Sequence, residues 1–476
     1  MMSKPLTLAL TVALAASGCA TLEPPLPQVT PAIPAEWTST PGTGSSTTGD
    51  VAADADAVDS AVSDIGWRDF FADPRLQALI GQSLDHNRDL RVAVLNVERA
   101  RAQYRIQRAA RVPSLGAGAE LLRTGGDAPV NDAYSVGLGV AGFELDLFGR
   151  VHNLGAAALQ QYLATEEAQR SAQLALVAEV AAGWLTLAAD QELLRIAEAT
   201  LRSREASLSL AERRHALGGA SALDVNQART LVETARADAA RYAGQVARDV
   251  NALTLLAGGP VDPALLPDAA VPQVAVAAPL PAGLPSDVLL RRPDIMAAEH
   301  GLRAANAHIG AARAAFFPSI TLTGSVGTAS NELSGLFDSG TRTWSFMPAV
   351  NIPIFQGGRL RAALGMATAD RDIALAQYEQ SIQAGFREVS DALALQTSLD
   401  GQIAAGERLL DAATRTLELS QARYDAGLDS HLQLLDAQRG QYAALQGLVA
   451  VRLAGQVNQV SLYKALGGGW RERGDI

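Results

Sequence analysis

Four segments of the chain alternate between apolar residues and small or polar ones, which is the two-residue period of a β-strand. In Ser319–Gly327 the even positions are apolar and the odd ones are small or polar, and Thr343–Ile352 alternates similarly. Segments of about ten residues with one apolar and one polar face are typical of a transmembrane β-barrel, although a half-buried sheet in a soluble domain alternates too. The sequence predicts strands at about 113–123, 134–147, 318–328 and 343–354.

Long stretches without proline separate the strands and predict helices at about 148–217, 222–257, 356–426 and 429–466. The longest would be rods of roughly 100 Å at 1.5 Å per residue. Gly218 and Gly427 follow these rods, where a left-handed C-cap is needed. Ser221 and Ser430 come three residues later, each with an acid or amide at the third helical position, which predicts N-caps. We therefore expect each long helix to reverse its direction in a three-residue hairpin tip.

An internal repeat extends over most of the chain. Arg108 matches Arg313 at a separation of 205 residues, and after a short insertion Gly218 matches Gly427 at a separation of 209 residues. Chance similarity between two alanine-rich helices would not keep prolines, glycines and serines in register over such a length. The repeat predicts three parts after the N-terminal region: a first repeat at 67–259, a Pro-rich connector with an equatorial region at 260–293, and a second repeat at 294–470.

The N-terminus has the layout of a secretory signal peptide over residues 1–18, with Lys4 before the apolar run Leu6–Leu14. Cys19 ends the sequence Ala-Ser-Gly-Cys, which resembles a bacterial lipobox and implies a diacylated cysteine at the mature N-terminus. Two acyl chains give stable anchoring where one does not. Residues 19–66 are rich in Pro, Thr, Ser, Ala and Asp and are predicted to form a lipidated tether. An ordinary signal with an incidental cysteine is the alternative.

Composition excludes several classes of protein. A net charge of −11 argues against a nucleic-acid partner, which needs a basic surface. One cysteine excludes a disulfide framework and a cysteine-based zinc site. The glycines of Gly137–Gly142 fit a dinucleotide-binding pattern, but they lie inside an alternating strand instead of at a strand-to-helix turn. We therefore expect no enzyme activity, no cofactor and no metal. A periplasmic scaffold or adaptor and a lipoprotein hydrolase are the weaker alternatives.

Four strands per chain cannot close a barrel, and open sheet edges are not tolerated in lipid. Two copies would give eight strands, whose interior is filled by side chains, whereas three copies give twelve strands and room for a lumen. The predicted fold class is therefore mainly α with a membrane β-barrel. It is a homotrimeric, 12-stranded outer-membrane barrel continuous with a 12-helix periplasmic α-barrel, and it is built on an internal two-fold repeat.

The segment Gly283–Asp294 (GLPSDVLLRRPD), followed by Ala304–Ser319, resembles the signature of outer-membrane efflux factors of the TolC/OprM superfamily. The lipobox points to the lipoprotein branch of that superfamily, which is OprM-like or NodT-type. The resemblance implies a homotrimeric exit duct in the outer membrane that extends into the periplasm. Such ducts dock through a periplasmic membrane-fusion adaptor onto an inner-membrane pump of the resistance-nodulation-division (RND) class and export drugs or toxic compounds. A duct of a type I, ABC-driven secretion system is the alternative.

The resemblance also implies a gate at the hairpin tips. Relatives hold the tip shut through polar contacts among residues that match Arg423, Tyr424, Asp436 and Asp224. Carboxylates from three subunits would repel one another at a closed tip, so each needs a cation or phenol. The adaptor would open the gate by a shift between two states. Tip geometry and adaptor contact are assigned to Gly218, Ser221, Gly427 and Ser430. The alternative is that these charges belong to ordinary solvated helix faces.

Overall fold

The computed structural model describes residues 22–27, 33–34, 66–127, 129–268 and 286–468. The predicted signal peptide, Cys19, most of the predicted tether and residues 269–285 of the connector lie outside these ranges. Within the described ranges the chain is mainly helical and contains one small antiparallel sheet.

Eight α-helices occur in the described ranges. They are α1 (Trp67–Phe70), α2 (Pro74–His86), α3 (Arg88–Ala109), α4 (Arg150–Ala216), α5 (Ala222–Leu256), α6 (Pro293–Ala314), α7 (Arg359–Asp425) and α8 (His431–Ala465). The ends of α4, α5, α7 and α8 differ from the sequence-based expectation by three residues at most. Among the described helices, only α4 contains a window apolar enough to cross a membrane, and 56% of that window is buried in the chain. Packing accounts for its apolar character.

The chain divides into two compact units. The first comprises Leu95–Glu167 and Met296–Ser381 together with the described residues 22–27, and it contains the sheet. The second comprises the described parts of 31–94, 168–295 and 382–476, and it contains the turns that connect α4 to α5 and α7 to α8.

The sheet of the first unit has the strand order β1 (Leu115–Thr124), β2 (Asn131–Leu145), β3 (Ser319–Ser330), β4 (Arg342–Asn351). Each strand is antiparallel to its neighbours. The register gathers apolar side chains on one face, where Leu138, Val326 and Trp344 form a row. The opposite face is mostly small and polar.

A bulge in β2 keeps this apolar face continuous. Val140 pairs with Gly324 and Phe143 pairs with Leu322, so β2 advances three residues while β3 advances two. Gly142 lies in the bulge with a φ of 64°, a left-handed conformation that suits glycine. Because of the extra residue, the apolar positions of β2 are even-numbered before the bulge and odd-numbered after it.

Both outer strands of the sheet are exposed over their whole length. Every residue of β1 and of β4 is exposed, on both faces of the sheet. The described part of the chain therefore supplies neither a core to cover the faces of these strands nor a further strand to pair with their outer edges.

Aromatic and aliphatic side chains of α1 and α2 form the core of the second unit with the middle of α4 and the end of α8. The Phe70 ring stacks on Tyr463 with centroids 3.9 Å apart. Trp184 is fully buried, and its Nε1 donates to the Leu265 carbonyl at 3.0 Å. Burial of such large aromatic side chains stabilises the unit by several kcal/mol, at about 25 cal/mol per Å² of apolar surface.

The internal repeat is visible in how this unit is held together. Asn87 Nδ2 donates to the carbonyl of Leu256, the last residue of α5, at 2.9 Å. Arg292, 205 residues after Asn87, donates from Nη1 to the carbonyl of Ala465, the last residue of α8, at 2.7 Å. Equivalent positions therefore satisfy equivalent helix ends with different side chains.

Candidate functional site

Two hairpin tips in the second unit carry the residues that the sequence singles out. They consist of residues 217–221 between α4 and α5 and residues 426–430 between α7 and α8. The expected three-residue tip is therefore wrong, because each turn has five residues. Leu217 and Ala426, which precede the capping glycines, lie outside the helices. The residues from each glycine to the N-cap serine lie outside them as well.

Both tips end their long helix with the same backbone motif. Gly218 and Gly427 adopt φ values of 75° and 73°, as expected for left-handed caps. The amide of the residue after each glycine reaches back to the helix. Gly219 N donates to the Arg214 carbonyl at 2.7 Å, and Leu428 N donates to the Arg423 carbonyl at 2.9 Å. These are Schellman caps, which satisfy carbonyls that the helix leaves free.

The two N-caps differ. The Ser221 hydroxyl accepts from Asp224 N at 3.1 Å, while Asp224 Oδ2 accepts from Ser221 N at 2.9 Å, which completes a capping box. Hydrogen bonds from the Ser221 backbone and side chain lower the pKa of Asp224. Ser430 occupies the N-cap position, but its side chain makes no capping bond. The N-cap position predicted for Ser430 is confirmed, but the capping bond is absent, because the Gln433 backbone amide donates to the Ser430 carbonyl at 3.2 Å instead of to its hydroxyl.

Arg423 forms an ion pair across the second tip. Its Nε and Nη2 donate to the two carboxylate oxygens of Asp429 at 2.7 and 2.8 Å. This two-pronged contact lowers the pKa of Asp429 and raises that of Arg423. Asp429 was not predicted to belong to the site. The sequence feature that could have identified it is an acidic residue six positions after Arg423, beyond the glycine turn.

Tyr424 joins the two hairpins of the second unit. Arg214 Nη1 donates to the Tyr424 hydroxyl at 2.9 Å, and the His431 ring lies 5.3 Å from the Tyr424 ring between centroids. His431 is only 9% exposed, and its Nδ1 is buried without a hydrogen-bond partner. Burial lowers the pKa of His431, nearby Arg214 lowers it further, and Asp224 acts in the opposite direction. Neither Arg214 nor His431 was predicted to belong to the site.

Asp436 does not take part in these contacts. It forms an ion pair with Arg439 on its own helix. In the described part of the chain, no hydrogen bond or ion pair connects any two of Arg423, Tyr424, Asp436 and Asp224. Within one chain, each of these four residues therefore has a partner from outside the group of four.

Exposed leucines surround both tips and were also missed from the sequence. Leu217 is 88% exposed and Leu428 is 69% exposed beside the capping glycines, while Leu223 and Leu432 are 66% and 49% exposed in the first turns of α5 and α8. Large apolar side chains clustered at a helix turn indicate a contact surface. Among the described residues, no group of three His, Cys, Asp or Glu side chains is arranged to hold a metal ion.

The chain is similar to known proteins over most of its length. The profile of a family described as "Outer membrane efflux protein" matches residues 79–259 and 284–468. The chain is similar to the probable efflux pump outer membrane protein TtgC of Pseudomonas putida, with 47% identity over 93% of this chain and 91% of TtgC. It is also similar to the outer membrane protein OprJ of Pseudomonas aeruginosa, with 47% identity over 87% of this chain and 88% of OprJ.

Solved structures show the same similarity. A membrane protein from Pseudomonas aeruginosa superposes with a TM-score of 0.85 at 43% identity, covering 95% of this chain and 98% of the other. The open state of the MtrE outer membrane channel of Neisseria gonorrhoeae superposes with a TM-score of 0.83 at 40% identity, covering 95% and 99%.

Proposed function

The chain belongs to the outer membrane efflux protein family, and on that premise we propose that it is the exit duct of a tripartite efflux pump. Its location is the outer membrane, with a part that extends into the periplasm. It passively conducts small toxic compounds that an inner-membrane RND pump delivers through a periplasmic adaptor. The observation that carries this proposal is the four-stranded sheet with one apolar face and two unpaired edges.

Three copies close this sheet into a 12-stranded barrel. The free backbone groups of β1 and β4 must be paired before the sheet can lie in lipid, and the edges of neighbouring copies pair them. The apolar face, with Trp344 and Val326, then faces lipid, while the small, polar face lines the lumen. Gly118, Gly137 and Gly327 form one row on the lumen face and keep it open.

The long helices form the periplasmic wall of the duct, with four helical columns per chain and twelve in the trimer. Their tips converge to close the duct. Asp436 and Asp224 of three copies then face one another, and cations or phenols of neighbouring copies hold them. Within each copy, the Arg423–Asp429 pair and the Arg214–Tyr424 hydrogen bond stiffen the tip. Opening shifts a two-state equilibrium in which these contacts are exchanged.

The adaptor docks on the tips. The exposed leucines that flank Gly218 and Gly427 supply apolar area, and the left-handed glycines set the direction of the turn. Ser221 and Ser430 lie between these leucines and complete the contact surface. Removal of apolar surface from water drives such an association, so the adaptor should carry a complementary apolar tip.

Acyl chains on Cys19 add a second attachment to the outer membrane. A lipid-bearing N-terminus keeps each chain at the membrane surface before its strands are paired, which raises the local concentration of subunits for assembly.

Deletion of the gene in its native host tests the proposal against secretion by a type I system. We expect a several-fold rise in sensitivity to solvents or antibiotics, restored by the wild-type gene supplied in trans. Loss of a protein from the culture medium with unchanged sensitivity would support the type I alternative. No change in either property would contradict both.

A further inference from the structure

Three exposed arginines lie in a row on α3. Arg101, Arg105 and Arg108 are spaced by four and three residues, so they share one face of the helix, here named the arginine face. All three side chains are exposed. No carboxylate in the described part of the chain forms an ion pair with any of them.

This positive charge is local and stands out in an acidic chain. Helix α3 contains six arginines and two carboxylates, whereas its repeat partner α6 contains two of each. The whole chain carries a net charge of −11. Within the described chain the neighbours of these arginines are tyrosines: Arg101 and Arg105 lie near Tyr162 of α4, and Arg108 lies 6.0 Å from the Tyr104 ring. Their charge is therefore left to solvent or to an anionic partner from outside the described chain.

The repeat shows which positions of α6 correspond to the arginine face. At the separation of 205 residues they are Asn306, Gly310 and Arg313. On α6 these positions contact the described N-terminal segment 22–27, here named the strap, through Leu22, Glu23 and Pro24. The face that is bare on α3 is therefore occupied on α6.

Specific contacts hold the strap on α6. Asn306 Nδ2 donates to Glu23 Oε1 at 2.9 Å and to the Pro24 carbonyl at 2.8 Å. Gly310 leaves room for both α4 and the strap, because a Cβ there would lie 2.5 Å from Asn153 Nδ2 and 3.1 Å from the Glu23 Cα. One turn further along α6, Arg313 Nη1 donates to the Leu22 carbonyl at 3.3 Å. The strap thus follows α6 from Arg313 towards Asn306.

The position of the strap indicates whether this face of α6 lies on the outer or the lumen side of the proposed trimer wall. Cys19 precedes Leu22 by three residues, which span about 10 Å at most. With acyl chains on Cys19, the strap side of α6 faces the membrane and not the lumen. In the trimer proposed above, the repeats follow one another around one axis, so equivalent faces of α3 and α6 point outwards alike.

The arginine face leads up to the sheet, with Arg108 nearest to it and Arg101 roughly 10 Å further away along the helix. Arg108 is seven residues before the start of β1 at Leu115, and Arg313 is six residues before the start of β3 at Ser319. We propose that Arg101, Arg105 and Arg108 bind the phosphate groups of anionic phospholipids in the periplasmic leaflet of the outer membrane. Guanidinium groups suit this role because their planar donors bind phosphate oxygens in pairs. The inference rests on the lipid anchor and barrel of the proposed function.

Lipid competition on the reconstituted trimer tests the proposal. Full-length protein is placed in nanodiscs of phosphatidylcholine with and without phosphatidylglycerol, and native mass spectrometry counts the lipids retained per trimer. Each arginine at a membrane surface favours an anionic lipid by roughly fivefold. We expect wild-type protein to retain phosphatidylglycerol over phosphatidylcholine, and R101Q/R105Q/R108Q to lose at least tenfold of that preference.

Two variants control for charge and folding. R101K/R105K/R108K keeps the charge and should retain most of the preference. R202Q/R408Q/R415Q removes three other exposed arginines, all in the second unit, and should behave as wild type. The preference of wild-type protein should also weaken at high salt.

Planar-bilayer currents separate failure of the inference from failure of the proposed function. A wild-type protein that does not conduct would contradict the duct itself. A conducting protein whose glutamine variant keeps its lipid preference would overturn the arginine face as a lipid site. A glutamine variant that changes only the anion-to-cation selectivity of the current would place these arginines in the lumen and overturn it too.

Discussion

At the residue scale, the proposed gate would depend on short-range contacts of a few side chains. Tyr424 accepts from Arg214 at one hairpin and packs beside His431 at the start of α8. Arg423 holds Asp429 across the second turn. Arg423 and Tyr424 could be selected from the sequence through the resemblance to efflux factors, and both precede the capping glycine of the tip. Their partners could not, because the choice among nearby carboxylates depends on side-chain conformations that only the folded turn defines.

Removing the Arg423 ion pair should loosen the tip. We expect Arg423→Ala and Asp429→Asn each to raise the passive single-channel conductance of the protein in planar bilayers, and the double variant to add little to either, because both remove one interaction. Asp436→Ala should raise conductance separately, through contacts between copies. Unchanged currents in all three single variants would exclude these residues as a latch.

Protonation of His431 should open the tip in mild acid. Burial holds its pKa below the ordinary 6.5, so the closed tip keeps His431 neutral. An opened tip exposes the ring, which takes up a proton as the pH falls through 6.5, so acid favours opening. The Asp429 carboxylate, with a pKa held below 3.8, stays charged in this range and contributes no pH dependence.

Conductance measured between about pH 7.5 and about pH 5.5, the range in which an ordinary histidine titrates, checks this prediction. Wild-type conductance should rise as the pH falls, and His431→Gln should remove the rise. His308→Gln, at an exposed position on α6, is the control and should leave it unchanged. A rise that persists in His431→Gln would contradict the role of His431.

At the scale of elements, the chain uses one cap four times. Gly218, Gly258, Gly427 and Gly467 all have φ values between 71° and 77° and end the four helices of the two hairpins. Glycine after a long proline-free stretch predicted the two tip caps. The bulge of β2 was not predicted, because strand pairing fixes it. The five-residue turns were not predicted, because each long helix ends one residue earlier than expected, before Leu217 and Ala426.

Substitution of a capping glycine should impair export more than assembly. A Cβ at Gly427 would lie in open space, so Gly427→Ala costs only the left-handed backbone, about 1–2 kcal/mol. We expect Gly427→Val to lose drug export while trimers persist in outer-membrane fractions. Gly440→Ala, inside α8 with equally open space, should stabilise its helix by about 1 kcal/mol and leave export intact. Loss of trimers in Gly427→Val would assign the glycine to folding.

At the scale of the whole molecule, the sequence predicted the repeat, the four strands and the long helices because each leaves a periodic pattern. It did not predict which side chains hold equivalent helix ends. Asn87 and Arg292 fulfil one role with unrelated chemistry, and a pattern search cannot match them. The two exposed edge strands carry the main consequence at this scale, because under the proposed function one chain supplies only part of the barrel wall.

The most direct test of that consequence measures both the mass and the conductance of the same purified particle. Full-length, lipid-bearing protein is solubilised in detergent, its mass is measured by light scattering corrected for detergent, and the same fraction is inserted into planar bilayers. The account predicts a particle of three chains that forms water-filled channels. A compact monomer that carries no current would contradict it.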